Sequence, residues 1–373
     1  MRIAFLGAGA WGTALAQHVA SSSSLSSSPQ PTSARSSSPA RPARGPAIDV
    51  RLWARDPALL AAIDADRVNT RYLPDVPLDP AIRTEAGLAS LAAWTRGHAE
   101  SLCVIATSLA GLRPTLRAWL DAQPAGADAP PLAPLIWLCK GIEADTGLLP
   151  HQVVDDVLAQ AGRDVGSSVP RGPLFGPSFA QEVARGLPAA LTVAARRPGL
   201  DRRVQHAFHH GALRIYATDD VLGVELGGAL KNVMAIATGI CDGLQLGHNA
   251  RAALITRGLA EISRLGAALG ARAETFMGLT GLGDLVLTCT GDLSRNRRVG
   301  LLLAAGQSLE QVLAGLGHVA EGVACVRAAQ RLGRAHGVDT PIVDAVAAVL
   351  AGRISPSDVV RRLLSRQPRR ESE

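Results

Sequence analysis

The chain of 373 residues carries 38 lysines and arginines, yet only two of them, Lys140 and Lys231, are lysines. Arginine stands almost everywhere else a cation is wanted, so a lysine that persists marks a place where a guanidinium would fail. Only an ammonium can be brought to give up its proton near neutral pH, which makes both residues candidates for acid–base work. Lys231 lies in Val221-Leu-Gly-Val-Glu-Leu-Gly-Gly-Ala-Leu-Lys-Asn232, where Leu222, Leu226, Val233, Ile236 and Ile240 have helical spacing. Gly227 and Gly228 share the face of the lysine, and each interior glycine costs about 1 kcal/mol relative to alanine. Something must therefore approach that face closely: a ligand pocket is the economical reading, and another helix packed on the glycines, with the lysine snorkelling outward, is the other. Lys140 follows the apolar run Leu135-Ile-Trp-Leu-Cys139 and precedes Gly141. That places it at the carboxyl end of a strand, where open α/β sheets bind their ligands, and lets both ammonium groups converge on one cleft.

Three further segments have chemistry in their spacing. In Gly278-Leu-Thr-Gly281-Leu-Gly283-Asp284-Leu-Val-Leu-Thr288 a helix would point Asp284 and Thr288 the same way. The carboxylate could hold a substrate hydroxyl, orient Lys231, or simply face the helix dipole. Gly176-Pro-Ser178-Phe-Ala180 reads as a turn entering a helix, with Ser178 either lining the cleft or capping the helix. Ser294-Arg295-Asn296-Arg297-Arg298 can fork a guanidinium onto phosphate oxygens with an amide and a hydroxyl beside it, although a short basic run alone is usually a solvated face.

These groups need a scaffold, and the chain begins with one. Met1-Arg-Ile-Ala-Phe-Leu6 is a strand-length apolar run leading into Gly7-Ala-Gly9-Ala10-Trp11-Gly12, and Thr13 to Ala20 then reads as a helix. Strand, glycines and helix in that order form a dinucleotide fingerprint: Gly7 allows the turn, Gly9 admits a pyrophosphate, and Gly12 permits close helix-to-strand packing. Residues 21–47 are a Ser/Pro-rich tract that cannot bury enough apolar surface to fold, and are expected to form a disordered insertion. Ile48 to Trp53 resumes a second strand, followed by Arg55, which favours the NADP phosphate, and Asp56, which keeps NAD open. Further strands are expected at Leu102–Thr107, Leu135–Cys139 and Leu191–Ala195, and nearly continuous helix from about Thr218, with Asn249 capping Ala250–Leu269. The expected fold is α/β: a Rossmann-like domain with a mostly parallel sheet over 1–217, then an all-helical domain over 218–373.

Composition narrows the function. The sequence is 47% hydrophobic and 19% charged, as in a folded globular protein, and no uncharged apolar run reaches the length of a membrane span. The N-terminus has no signal-peptide pattern, so a cytoplasmic protein is expected. The net charge of +6 gathers after Pro39 and in the last dozen residues, without interleaved aromatics, so nucleic acid is not an expected partner. Five scattered cysteines show no C-x-x-C pair, and they read as buried thiols rather than metal ligands.

Taken together, these segments resemble the soluble NAD(P)-dependent glycerol-3-phosphate dehydrogenases. The motifs around Gly7–Gly12, Lys140-Gly-Ile-Glu143, Gly176-Pro-Ser-Phe-Ala180, Leu230-Lys-Asn-Val233, Gly281-Leu-Gly-Asp-Leu285 and Ser294-Arg-Asn-Arg297 occur in the family's order, over nearly the whole chain except the insert and the basic tail. The resemblance implies reversible reduction of dihydroxyacetone phosphate to sn-glycerol 3-phosphate, supplying glycerophospholipid synthesis. By it Lys231 is the proton donor and acceptor, Lys140 helps to bind substrate and cofactor, and Asp284 with Thr288 lines the reacting end. Arg295, Asn296 and Ser294 would hold the substrate phosphate, and Gly176, Ser178 and Asn232 would complete the substrate set. Like charge from Lys140 and Arg295 would then draw the pKa of Lys231 down toward the working range. Gly7, Gly9, Ala10, Trp11, Gly12, Arg55, Lys140, Ala180, Arg295, Val319 and Glu321 would lie on the side of the cofactor, NADP or NAD with NADPH favoured. The family commonly has Ser where Ala10 stands, and the insert is the larger departure. The implied partner is a small phosphorylated triose, with a homodimer left open. The rivals are another lysine-dependent dehydrogenase of β-hydroxyacid or ketopantoate type, and a non-catalytic NADP-binding sensor.

Overall fold

The computed structural model describes residues 1–25, 48–124, 130–163, 169–316 and 320–364. Its first half is built on strands β1 (Arg2–Leu6), β2 (Asp49–Trp53), β3 (Val68–Asn69), β4 (Leu73–Pro77), β5 (Ile82–Thr84), β6 (Ser101–Ile105), β7 (Leu135–Trp137), β8 (Arg171–Phe175), β9 (Ala189–Ala194) and β10 (Leu213–Thr218). Eight of these form one sheet in the order β10-β9-β8-β7-β6-β1-β2-β5, while β3 and β4 make a separate hairpin. All neighbours in the large sheet are parallel except β8 and β9, which run antiparallel with Leu174 opposite Val193. Helices α1 (Ala10–Leu25), α2 (Pro57–Asp66), α3 (Leu88–Thr95), α4 (Leu109–Asp121), α5 (Pro150–Gln160), α6 (Ala180–Ala184) and α7 (Leu200–Phe208) connect the strands. The sheet residues read as continuous apolar runs because both faces are covered. Ile3, Phe5 and Leu52 belong to one cluster with α1 and α7, and Ala4, Leu6 and Ile105 to another with α4 and α5.

Every described element after β10 is helical. They are α8 (Val221–Gly243), α9 (Gly247–Ala268), α10 (Ala273–Met277), a π turn (Leu279–Gly283), α11 (Asp284–Thr290), α12 (Arg295–Ala304), α13 (Leu309–Leu316), α14 (Glu321–Ala335), α15 (Pro341–Leu350) and α16 (Pro356–Leu364). The axis of this half is α8, buried along nearly its whole length. Among the described residues it is the one helix long and apolar enough to cross a membrane, but 94% of its apolar window is buried inside the protein. The mostly parallel sheet and helical second half are those expected from the alternation of patterns.

Several local expectations need correction. Helix α1 begins at Ala10 rather than Thr13 and runs through Ser21–Leu25, so the first five residues of the Ser/Pro tract continue the helix; the rest of that tract lies outside the described residues. Asn249 does not cap α9, which begins earlier, at Gly247, where φ of +88° suits glycine. Strands β8 and β10 flank β9 and carry no clear signal in the sequence. Pro173 and two glycines near β8 obscure it, and β10 alternates buried and exposed residues over too short a length to stand out. All five cysteines are buried and unpaired, as their scatter suggested.

Candidate active site

The two lysines of the chain meet at one carboxylate. Lys231 Nζ donates to Asp284 Oδ1, and Lys140 Nζ donates to Asp284 Oδ2 at 2.6 Å. Each arrives from a different part of the fold. Lys140 stands just beyond β7, near the sheet's carboxyl edge, while Lys231 projects from the middle of α8 and Asp284 opens α11. Asp284 is 1% exposed and Lys231 8% exposed, so the ion pair is buried where the sheet meets the helices. Lys140 Nζ also lies 5.1 Å from the centre of the Phe175 ring and 3.5 Å from the Gly176 carbonyl oxygen.

Burial sets the electrostatics here, because removing an ammonium from water favours its neutral form. It pulls Lys231 down from the usual lysine range to about 8; the Asp284 carboxylate opposes that pull and the Lys140 ammonium adds to it. Arg295, expected to share in the lowering, is not among its causes. Burial likewise pushes the Asp284 carboxyl up, but Lys140 and Lys231 together hold it below the ordinary carboxylate range. The arrangement is an ionised acid between two lysine side chains, one of which, Lys231, is poised to lose its proton near pH 8.

Glycines bring these parts together. A methyl group on Gly227 would lie 2.5 Å from the Thr280 carbonyl oxygen, and one on Gly228 would lie 3.0 Å from the Phe175 ring. The close approach beside Lys231 is therefore made by the π turn and by β8, not by an open pocket as the economical reading held. The turn that packs on Gly227 delivers Asp284 to the lysine. Thr288, one helical turn later, donates to the Asp284 backbone oxygen at 2.7 Å, so the two do share a face.

Around this centre the other sequence candidates fall into two groups. Asn232 is buried on α8, where its side-chain oxygen accepts from Asn296 Nδ2 at 3.0 Å, while Asn296 Oδ1 accepts from the Gly322 amide at 3.0 Å. This ties α8, α12 and α14 together next to Lys231. Ser294 caps α12 by accepting from the Arg297 amide, and Arg297 is bound by Asp242 and Asp292. Arg295 is exposed and has no hydrogen bond or ion pair among the described residues, so its guanidinium is available. Glu321 opens α14 and is pushed up by burial, against the pull of Arg295, Lys140 and Lys231. Ser178 does not cap α6, whose N-cap is Phe179; its hydroxyl instead donates to the Gly176 carbonyl at 3.2 Å. Val319 lies outside the described residues.

On the sheet side the glycine loop fits a dinucleotide. Gly7 has φ of +128°, and a methyl on it would sit 2.6 Å from the Ala106 carbonyl. A methyl on Gly12 would collide with the Gly7 carbonyl and the Ala106 side chain, whereas one on Gly9 would meet nothing closer than 3.8 Å. The loop is thus crowded behind and open at Gly9, in front of the N-terminus of α1, where free amides and the dipole favour a diphosphate. Ala10 and Trp11 form the first turn of α1, and Ala180 begins α6 close by. Asn69 carries no motif in the sequence, yet its buried amide donates to the Ala8 carbonyl at 2.8 Å and to Thr13 at 2.9 Å, fixing the loop's shape. At the end of β2, Arg55 is exposed, while Asp56 caps α2 and pairs with Arg71 at 3.0 Å.

The chain's pattern matches family models described as the N-terminus and C-terminus of NAD-dependent glycerol-3-phosphate dehydrogenase, over residues 2–200 and 220–361 respectively. The chain belongs to that family. It is 54% identical over 371 residues, covering 100% of each chain to the nearest percent, to a Cupriavidus necator protein named glycerol-3-phosphate dehydrogenase, NAD(P)+, and 53% identical with the same coverage to one of the same name from Cupriavidus taiwanensis. Among solved structures, glycerol-3-phosphate dehydrogenase from Coxiella burnetii matches with a TM-score of 0.80 at 34% identity, covering 98% of this chain and 99% of that one. Membership in the family supports the dehydrogenase reading of the sequence and not the β-hydroxyacid, ketopantoate or sensor alternatives.

Sequence reasoning missed the groups that brace the site. Glu225, on α8 ahead of Lys231, is fully buried and accepts from Trp137 and His151. Arg113 on α4 grips Glu143 through two nitrogens at 3.0 and 2.9 Å, holding the loop that follows Lys140. An acid inside an otherwise apolar helix was the available signal for Glu225; for Arg113, on the outward side of a sheet helix, there was none.

Proposed function

We propose that this chain carries out the NAD(P)H-dependent reduction of dihydroxyacetone phosphate to sn-glycerol 3-phosphate, and the reverse oxidation, with Lys231 as the proton donor and acceptor. The observation that carries the assignment of roles is the meeting of Lys140 and Lys231 on Asp284. Nicotinamide, when bound, supplies the hydride to the ketone carbon or takes it back from the alcohol. Lys231, charged below about pH 8, gives an Nζ proton to the carbonyl oxygen as alkoxide character develops there, and as the neutral amine it takes that proton back in oxidation. Asp284 orients the ammonium and Thr288 holds the turn of helix that carries it. Lys140 adds positive charge beside the same oxygen, and the Gly176–Ser178 turn, whose Gly176 carbonyl lies 3.5 Å from Lys140 Nζ, lines the reacting end.

The substrate phosphate is assigned to Arg295, with Asn232, Asn296 and Ser294 as the polar wall beside it, since a free guanidinium can fork two phosphate oxygens. The dinucleotide is assigned to Gly7, Gly9, Ala10, Trp11, Gly12 and Ala180 on the sheet side, with Arg295, Val319 and Glu321 on the helical side. NADPH is the favoured reductant: Arg55 is exposed for a ribose phosphate, and Asp56, which would prefer ribose hydroxyls, is engaged by Arg71. Residues 1–217 then serve the cofactor and 218–373 the substrate. The product is the glycerol phosphate backbone of phospholipids, made in the cytoplasm. Steady-state kinetics with dihydroxyacetone phosphate, ketopantoate and β-hydroxyacids, each with NADPH and NADH, test this. Turnover confined to the triose phosphate, with the lower KM for NADPH, is expected; faster turnover of a non-phosphorylated substrate would overturn it.

A further inference from the structure

Among the described residues, Glu225 is the one fully buried acid that joins the element carrying Lys231 to the element carrying Lys140. Its Oε1 accepts from the Trp137 indole at 2.9 Å and from the His151 backbone amide at 2.9 Å, and its Oε2 meets His151 Nδ1 at 2.5 Å. Trp137 is the last residue of β7, just ahead of Lys140, and His151 lies in the first turn of α5; Glu225 itself stands nearly two turns before Lys231 on α8. The joint therefore crosses from sheet to helical core next to the cleft. A carboxylate buried at 0% exposure is costly, and well-packed apolar groups at such places are often as stabilising, so the group is better explained by the geometry it enforces than by stability. We propose that Glu225 is a positioning residue for the lysine pair: by clamping α8 onto β7 and α5 it sets the spacing at which Lys231 and Lys140 share Asp284. The proposal rests on the role of Lys231 given above. Burial raises the Glu225 carboxyl, against the pull of His151 and Trp137, which places the joint in a dry interior where few alternative partners exist.

A positioning role predicts more than lost stability. The charged groups facing Lys231 are Asp284 on α11, Lys140 beyond β7 and Glu321 on α14, and substituting Glu225 alters the chemistry of none of the three. In Glu225→Gln the amide cannot accept from every donor, α8 loosens, and Lys231 loses part of the Asp284 contact that keeps it charged. The expected result is a fall in kcat of about 10-fold, with the alkaline limb of dihydroxyacetone phosphate reduction moving to lower pH. Glu261→Gln serves as the comparison, because Glu261 is a buried acid that caps α15 by accepting from the Ile342 and Val343 amides at 2.9 and 3.0 Å, away from the cleft. It is expected to lower the melting temperature while leaving kcat and the limb where they are. If Glu225→Gln does not fold, Trp137→Phe, which removes only the indole donor, carries the same test with a fall of about 3-fold and a shift in the same sense. A limb that stays in place or moves upward in the folded variant overturns the proposal. Should Lys231→Arg retain turnover, it is the role of Lys231 that fails; should Lys231→Arg be inactive while Glu225→Gln leaves the limb unmoved, only the positioning role fails.

Discussion

At Lys231 burial and pairing pull in opposite directions, and burial wins. The group rests at about 8, below the usual lysine range, even though a carboxylate touches it. Because the folded-state value is lowered, the ammonium is present below about pH 8 and the free amine above it. Reduction needs the ammonium, so its kcat/KM is expected to fall as pH rises through about 8, while oxidation rises through the same region; initial rates in both directions across pH 6 to 10 check this. Arg295 is a different kind of residue, exposed and without a hydrogen bond or ion pair among the described residues, so removing it should cost binding and not folding. Arg295→Met is expected to raise the KM for dihydroxyacetone phosphate by about 10- to 100-fold with the melting temperature unchanged, as loss of a charge-assisted hydrogen bond implies. Both lysines were legible in the sequence because they stand out against an arginine-biased chain. Arg113 and Asn69 were not, since an arginine or asparagine on a connecting element has no pattern until its partner is known.

Elements show the same division between what pattern reveals and what packing decides. The strand, glycine turn and helix at the N-terminus were readable because each glycine meets a separate backbone requirement, with a positive φ at Gly7, contact with Ala106 at Gly12 and open space at Gly9. Gly227 and Gly228 were readable as a point of close approach, but only the fold could say that the approaching partners are the π turn and Phe175. The start of helix α9 and the whole of strand β8 escaped the pattern for local reasons: Gly247 begins the helix without a side-chain cap, and Pro173 sits inside the strand. The close approach at Gly227 has a consequence for the reaction, since the turn resting on it carries Asp284. Gly227→Ala places a methyl 2.5 Å from the Thr280 oxygen. The variant is expected to be destabilised by about 1–3 kcal/mol, as overpacking usually costs, and to change more in kcat than in KM. Chemical denaturation together with steady-state kinetics reads both; unchanged kcat in a destabilised variant would separate the turn from the chemistry.

Across the whole molecule two cores of different texture face one another, a sheet covered by helices and a bundle around α8. The reacting groups come from both: Lys140 from the first, Lys231 and Asp284 from the second. This division was legible from the change in pattern near Thr218, and the convergence of the lysines was legible from strand ends and helix face. The depth of burial that tunes Lys231, and the Glu225 joint beneath it, depend on contacts between residues far apart in sequence and could not be read from spacing. The central claim is that the Lys231 ammonium moves the proton, and Lys231→Arg tests it most directly because arginine keeps the charge and surrenders no proton near neutral pH. Measured as kcat for dihydroxyacetone phosphate reduction beside the variant's melting temperature, the result expected is a folded protein with turnover reduced about 10² to 10⁴-fold. A folded Lys231→Arg protein that turns over near the wild-type rate would contradict the account.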